Sequence, residues 1–388
     1  MMMLNSKDMA YRKNPYPIFK RLREEGGLCR IDPFGFYGVT RHADVQLILK
    51  LPNIFSSAEI VQEPLANTAE FLLYSRGLIG TDKPDHTRLR RLLSKAFTPK
   101  TIAGFEQNII HLAEKLIRQF PSAPFDFMQY FASPLPMTIM AELIGIDYDR
   151  IHDFKRWVEI LLSWRHQVYE TIIPDIEAMF QYINEVIAAR KSQPRNDLIS
   201  SLIAACDDEE IITDSELLAF IRLLLVAGTE TTTNLFGNGM LALVSHPEQC
   251  HHLREDLSRI PAFIDEALRY DGPALSLSRR VTQDYELCGV TLKKNDIVLP
   301  LLASANHDET VFTNPEEFNI TRDSKAHVAF GGGIHLCLGS MLAKLQARIG
   351  FTALLQRFEH IKFAQQNELV YLDSFFFRGL RRLDVVAK

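Results

Sequence analysis

No stretch of this sequence offers the run of about 18 apolar residues that a membrane-crossing helix needs, and Met1 to Tyr16 is polar and mixed in charge, with no apolar signal region. The expectation is a soluble, cytoplasmic protein with no membrane segment. Cysteine is sparse: five residues, Cys29, Cys206, Cys250, Cys288 and Cys337, odd in number and widely scattered. That pattern excludes a disulfide framework, and the absence of any Cys-x-x-Cys pair removes the usual zinc and iron–sulfur spacings. For four of the five the expectation is a small buried hydrophobe. A basic excess is missing too. With 43 Lys and Arg against 48 Asp and Glu the net charge is −5, so the overall balance gives no case for nucleic-acid binding. There is no internal repeat, low-complexity tract, Gly/Ser linker or flavin-binding motif.

What is present is a chain of 388 residues, 47% of them hydrophobic, enough for a large core. A helix is expected over Pro17 to Glu25, then short strands at Leu28 to Ile31 and Gly35 to Val39. From His86 to about Leu257 the apolar positions recur at three and four, as in Phe105 to Phe120, Pro136 to Ile144 and Ile176 to Ala189. One helix stands out for length. Thr213 and Glu216 form a capping box, and the apolar run continues to Ser245, where His246-Pro247 ends it. Its roughly 32 residues span about 48 Å, and a helix apolar on most sides must be central. A further helix runs from Pro261 to Tyr270. Strands follow at Tyr285 to Leu287, Val290 to Leu292 and Ile297 to Leu301, then a helix from Ser340 to Phe358, then strands and turns from Val370 to Val386. The fold class is mainly α with small β-sheets, interleaved without the alternation of a doubly wound fold.

The segment Phe330-Gly331-Gly332-Gly333-Ile334-His335-Leu336-Cys337-Leu338-Gly339 carries the strongest chemical signal. Three consecutive glycines permit positive φ and close backbone approach. Cys337 precedes a convincing helix, where backbone N–H groups and the positive end of the helix dipole lower a thiol's pKa. The same donors would tune a bound metal. At average glycine usage, Gly331, Gly333 and Gly339 would fall at their fixed positions in roughly 3 of 10,000 windows, before Phe330, His335 and Cys337 are required as well.

This segment resembles the haem-binding signature of the cytochrome P-450 family, Phe-Gly-x-Gly-x-His-x-Cys-x-Gly, with every fixed position present. The resemblance implies that the Cys337 thiolate is the iron ligand of haem b, pushing electron density onto the metal. It also implies the family's fold, a triangular helical prism with a long central helix, as a single domain over 1–388 with a β-rich part to about residue 60. Seven residues after the cysteine, Lys344 stands where relatives often have Arg; the charge stays, the bidentate fork does not.

Three distant segments support the resemblance. Glu266 and Arg269, at i and i+3, share a helix face. Taken alone they read as a solvated surface pair or, with Ile264, Ala267 and Leu268 around them, as a buried one. The resemblance implies the latter, the family's Glu-x-x-Arg being a structural anchor for the meander, here Asn306 to Arg322. In that meander Thr310 replaces a common Pro, which would loosen a turn. Ala227-Gly228-Thr229-Glu230-Thr231-Thr232 sits inside the long helix, where Gly costs about 1 kcal/mol and Thr hydroxyls compete for carbonyls. Such local rule-breaking often marks function. The segment resembles the family's acid–alcohol motif: Thr231 would hydrogen-bond dioxygen over the distal haem face, Glu230 would relay protons, Ala227 would lie against the cofactor and Gly228 would leave room for the ligand. Two haem propionates need cationic partners if buried. His86 and Arg90, one turn apart, resemble the family's propionate clamp; Arg279 and His335 match two further contacts.

The implied reaction inserts one oxygen atom from O2 into a hydrophobic small molecule, as hydroxylation or epoxidation. Electrons would come from a separate ferredoxin or flavodoxin-type protein, docking on Arg88, Arg91, Lys95, Lys344 and Arg348. Family position sends Ser57 to Leu78, the helices around Trp157 to Tyr169, Leu223, Val226, Leu275, Leu277 and Phe375 to Phe377, with Phe376 foremost, to the substrate pocket. The expected substrate is a terpenoid, fatty acyl chain or polyketide, and the expected protein a monomer. Two rivals remain at this level: a non-catalytic haem-thiolate sensor, against which the Glu230–Thr231 pair counts, and a helical binding protein without haem.

Overall fold

The long helix begins as its sequence dictates. Glu216 N donates to Thr213 Oγ1 (3.2 Å) and Thr213 N to Glu216 Oε2 (2.9 Å), closing the capping box reciprocally, and the helix runs Asp214–Ser245. The computed structural model describes residues 2–5, 8–58, 77–163, 169–206, 211–364 and 369–388. These fall into two compact units, one of Met1–Ser57, Ile109–Pro134 and Thr231–Lys388, the other of Ala58–Asn108 and Leu135–Glu230.

The first unit holds every described strand. Its six-stranded sheet has the order Met2–Asn5, Leu28–Asp32, Phe36–Val39, Ile297–Pro300, Arg279–Val281, Phe55–Ser56. The edge strand Met2–Asn5, parallel to Leu28–Asp32, has no sequence signal because four residues, three of them apolar, are too few to set a period. Two apolar clusters flank the sheet: Val39, Val45, Ile48, Phe55, Val281 and Val298 in one, and Tyr11, Phe19, Ile31, Leu275, Leu299 and Phe375 in the other. Helices Ile260–Asp271 and Ser340–Arg357 belong to this unit. Here Asp271 accepts from Tyr16 Oη (2.5 Å) and Arg378 Nε (2.8 Å), while Arg378 donates to the carbonyls of Arg12 and Lys13. An N-terminal helix is thereby tied to the C-terminal strands.

The described part of the second unit is helical: Asp85–Ala96, Pro134–Ile144, Ile151–Ser163, Tyr169–Ser192 and Leu198–Ala204, with the first half of the long helix. Burying apolar helix faces requires any internal charge to be paired. Accordingly Arg190 Nε meets Asp197 Oδ2 at 2.5 Å, and the second arm of Arg190 donates to Gly145 O (2.9 Å). The mainly helical fold with small sheets is the one the sequence implies. The cysteines follow their expected character less evenly: Cys29 is fully buried, its thiol pushed up to about 12 by desolvation, but Cys288 is exposed at the turn between strands Tyr285–Leu287 and Val290–Leu292. None of the five forms a disulfide.

Candidate active site

The cysteine loop of the first unit is built on two left-handed glycines. Gly331 has φ +70° and Gly333 φ +62°, a region L side chains rarely enter. At Gly333 there is a second reason: a Cβ would stand 2.0 Å from Leu49 O, so the loop lies directly on the backbone of helix His42–Lys50. The chain then turns back on itself, Cys337 N donating to Phe330 O (3.0 Å), which presents the half-buried Cys337 ahead of helix Ser340–Arg357. His335 is half-buried in the short turn Gly333–His335.

Behind the loop, Glu266 and Arg269 are completely buried, not a surface pair. Arg269 Nε and Nη2 reach the two Glu266 oxygens at 2.7 and 2.8 Å. Its remaining donors go to the carbonyls of Asn306 (3.1 Å), Pro315 (2.8 Å) and Glu317 (3.1 Å). Glu266 also accepts from Asn319 N (2.9 Å), Ser324 Oγ (2.5 Å) and Arg322 Nε (3.3 Å). Two side chains therefore fix a meander from Asn306 to Ser324 that has little regular structure of its own. Asn306 Oδ1 accepts from Val328 N (2.7 Å) and carries the restraint into the cysteine loop. Thr310 does not loosen its turn: its N–H and hydroxyl both donate to Asp308 Oδ1 (3.0 and 2.6 Å), an Asx turn doing the work of the missing proline.

Lys344 is explained by a residue the sequence reading passed over. Its ammonium lies 2.6 Å from Asp265 Oδ1 and 5.6 Å from the centroid of the Phe330 ring. Burial raises the Asp265 pKa, but His327 and Lys344 outweigh that and hold it below the usual carboxylate range. Asp265 next to Glu266 was the available signal. Arg279 is buried on its strand and donates to Ser278 O (2.7 Å). Leu277 touches the loop, 3.5 Å from where a Gly331 Cβ would stand, whereas Leu275 and Phe375 are core and Phe376 is half-buried, its carbonyl accepting from Leu275 N (2.8 Å).

In the second unit His86 and Arg90 lie one turn apart on helix Asp85–Ala96, His86 buried and Arg90 partly so. Desolvation, then the Arg90 charge, lowers the His86 pKa. That is the electrostatics of a locally cationic spot that favours an anion. Ala227, Glu230 and Thr231 stand at i, i+3 and i+4, one face of the long helix. Ala227 is exposed and the other two half-buried, although most of the helix is buried. A Cβ on Gly228 would come within 2.7 Å of Met140 Sδ, so the reason the structure gives for this glycine is helix packing. Leu223 and Val226 are half-buried. Of the other pocket candidates, residues 59–76 and 164–168 lie outside the described residues. Three cations of the expected docking patch have local partners, Arg88 on Glu216, Lys95 on Ala205 O (3.1 Å) and Lys344 on Asp265 (2.6 Å).

Each unit carries features that suit an apolar, dianionic cofactor: in the first a cysteine presented from a tight loop and the buried Arg279, in the second an exposed small residue on a mostly buried helix and the cationic spot at His86 and Arg90. Comparison with known proteins agrees. The family profile cytochrome P-450 matches residues 2–375. Cytochrome P-450 107B1 of Saccharopolyspora erythraea is 35% identical over 97% of this chain and 96% of its own. The structure of CYP109Q5 from Chondromyces apiculatus superposes with a TM-score of 0.91 at 35% identity, covering 100% of this chain and 98% of the other. The structure of P-450BioI in complex with an acyl carrier protein ligated to hexadec-9Z-enoic acid does so at 0.89 and 32%, covering 97% and 99%. A cysteine loop of this geometry and matches over nearly the whole length lead to one conclusion: the chain belongs to the cytochrome P-450 family of haem-thiolate monooxygenases, whose cofactor is haem b.

Proposed function

We propose that this chain inserts one oxygen atom from dioxygen into a hydrophobic small molecule with a long apolar body, taking electrons from a separate ferredoxin or flavodoxin-type protein. The observation that carries the reading is the cysteine loop, held by Gly333 against the backbone of Leu49 and by the Glu266–Arg269 anchor. Haem, when bound, supplies the activation of dioxygen; the protein supplies ligation, orientation and control of water and protons. Cys337 would ligate the haem iron as a thiolate, with Phe330, His335 and Gly339 shaping its loop. Arg90 and Arg279, with His86 and His335, would neutralise the propionates. Ala227, a small exposed residue on its helix, would let the cofactor lie close. Thr231 would hold a hydrogen bond at the oxygen-binding position and Glu230 would return protons to it from solvent. Leu223 and Val226 of the second unit, and Leu277 and Phe376 of the first with Leu275 in the core beside Phe376, would meet the substrate. The substrate class is suggested by P-450BioI, solved with an acyl carrier protein bearing a C16 chain, and by PksS of Bacillus subtilis, named for polyketide biosynthesis.

A cytoplasmic monomer, with both units acting as one domain, completes the reading. Its supports are a family match that runs through both units and, among the described residues, no helix long and apolar enough to cross a membrane. The test is the spectrum of the reduced protein with carbon monoxide. Thiolate ligation gives a strongly red-shifted Soret band that Cys337→Ala should abolish; its absence from haem-loaded wild type would end the proposal. Thr231→Ala should keep that band yet consume oxygen without forming product.

A further inference from the structure

We propose that Arg222 anchors the carboxylate of a long-chain acid in the second unit, so that the substrate is an apolar chain with one anionic end. The inference deepens the monooxygenase reading and rests on it for the use made of the other end of the chain.

Arg222 is 8% exposed, on the long helix. Five other arginines are as buried: Arg23 meets Glu309, Arg190 Asp197, Arg269 Glu266 and Arg378 Asp271, while Arg279 donates to the carbonyl of Ser278. Arg222 differs from them. Its Nε is buried without a hydrogen-bond partner, and no described carboxylate or carbonyl accepts from the guanidinium. Its neighbour is the Phe180 ring, 4.9 Å from the guanidinium carbon to the ring centroid, and Phe180 packs on Ile160 and Ile176. Burial pulls its pKa down, and among the described residues no negative charge acts against it. A buried cation in apolar surroundings is costly unless an anion joins it, and arginine matches carboxylates two bonds at a time.

Position supplies the rest. Arg222 and Val226 share a helix face at i and i+4. From there the partly open apolar side chains Leu223 and Val226 lead to the exposed Ala227 and on to Glu230. Eight residues separate Arg222 from Glu230, ~12 Å of helix rise, a distance that a chain of about ten carbons spans. A carboxylate on Arg222 would therefore set its far methylenes beside the residues assigned to oxygen activation, and chain length would decide which carbon lies there.

The experiment uses the haem-loaded protein and two probes, sodium dodecanoate and methyl dodecanoate, read by the Soret shift on titration and by the rise in melting temperature. Wild type should bind the acid more tightly than the ester. Arg222→Met should weaken the acid roughly tenfold to hundredfold, the loss of one charge-assisted pair, while the ester stays within about twofold. Arg222→Lys should keep part of the preference. Ligand-free Arg222→Met should melt no lower than wild type, because it removes an uncompensated buried charge; an arginine with a purely structural partner would make it melt lower. Equal affinity of wild type for acid and ester, or an acid preference unchanged in Arg222→Met, overturns the anchor. The two readings fail separately. Loss of the carbon monoxide band with the acid preference intact would sink monooxygenase chemistry and keep the anion site, and the reverse pattern would sink only the anchor.

Discussion

Replacing Arg269 with lysine keeps a positive charge in place and removes only the fork. In the wild type five hydrogen bonds leave this guanidinium, two to Glu266 and one each to the carbonyls of Asn306, Pro315 and Glu317, and both ion-pair partners are fully buried. An ammonium has three donors on a single point, so at least two acceptors lose their partner where water cannot reach. At ~1–3 kcal/mol for each unsatisfied buried group, Arg269→Lys should cost about 2–6 kcal/mol, a large fraction of a typical 5–15 kcal/mol total. Arg322 limits the loss, since it already donates to Glu266 Oε1 (3.3 Å). The assay is urea unfolding followed by far-UV circular dichroism, with haem content measured on the folded fraction. Meander and cysteine loop share this anchor, so haem retention should fall along with stability. Arg322→Lys is the control and should cost less than Arg269→Lys, because the acceptors Thr313 O, Asn314 O and Glu317 O that Arg322 meets are bonded where water can replace it. If Arg269→Lys stayed within about 1 kcal/mol of wild type and kept its haem, the anchor argument would be wrong.

Two glycine substitutions should behave oppositely. Gly333→Ala meets the Leu49 carbonyl 2.0 Å away at φ +62°, so it should cost more than ~2 kcal/mol and lower haem content, whereas Gly228→Ala meets only the flexible end of Met140 and gains about 1 kcal/mol of helix propensity, so it should change stability by less than about 1 kcal/mol with haem retained. Stability should also fall in mild acid through His307, whose pKa is lowered to about 3 by burial and then by the Arg269 charge, against 6.5 for the ordinary side chain. Its contribution is complete above pH 6.5 and is lost on descending toward 3, about 2 kcal/mol between pH 6.5 and 5; His307→Asn should flatten that slope in urea melts at the two pH values, and an unchanged slope refutes the assignment. Cys288 is exposed, yet its thiol is pushed up to about 11, first by desolvation and then by Asp44 Oδ2, 3.3 Å from the sulfur. Iodoacetamide at pH 8 should label it slowly and Asp44→Asn severalfold faster, as read by mass spectrometry; equal rates would remove Asp44 from the account.

Much of the scaffold was legible in the sequence because local rules set it. The capping box at Thr213 and Glu216, the stop at His246-Pro247 and the strands Tyr285–Leu287 and Val290–Leu292 all depend on contacts within a few residues, and the structure repeats them closely. The motif around Cys337 was legible for a different reason. Gly331 and Gly333 are required by backbone conformation, a demand that only one residue type meets readily. Tertiary structure decided the electrostatics. Glu266 and Arg269 could have been a solvated pair, and only the carbonyls of Asn306, Pro315 and Glu317, some forty to fifty positions away, turn them into a buried anchor. Lys344 became explicable once Asp265 stood beside it, and Gly228 once Met140 did. Arg222 carries no signal in the sequence, and its burial with Nε unpartnered sets it apart. The sequence by itself determined helices, turns and the identity of the cysteine loop, because backbone preference and hydrophobic period are short-ranged. Which charges are paired was settled by folding, because burial and the distance between partners belong to three dimensions.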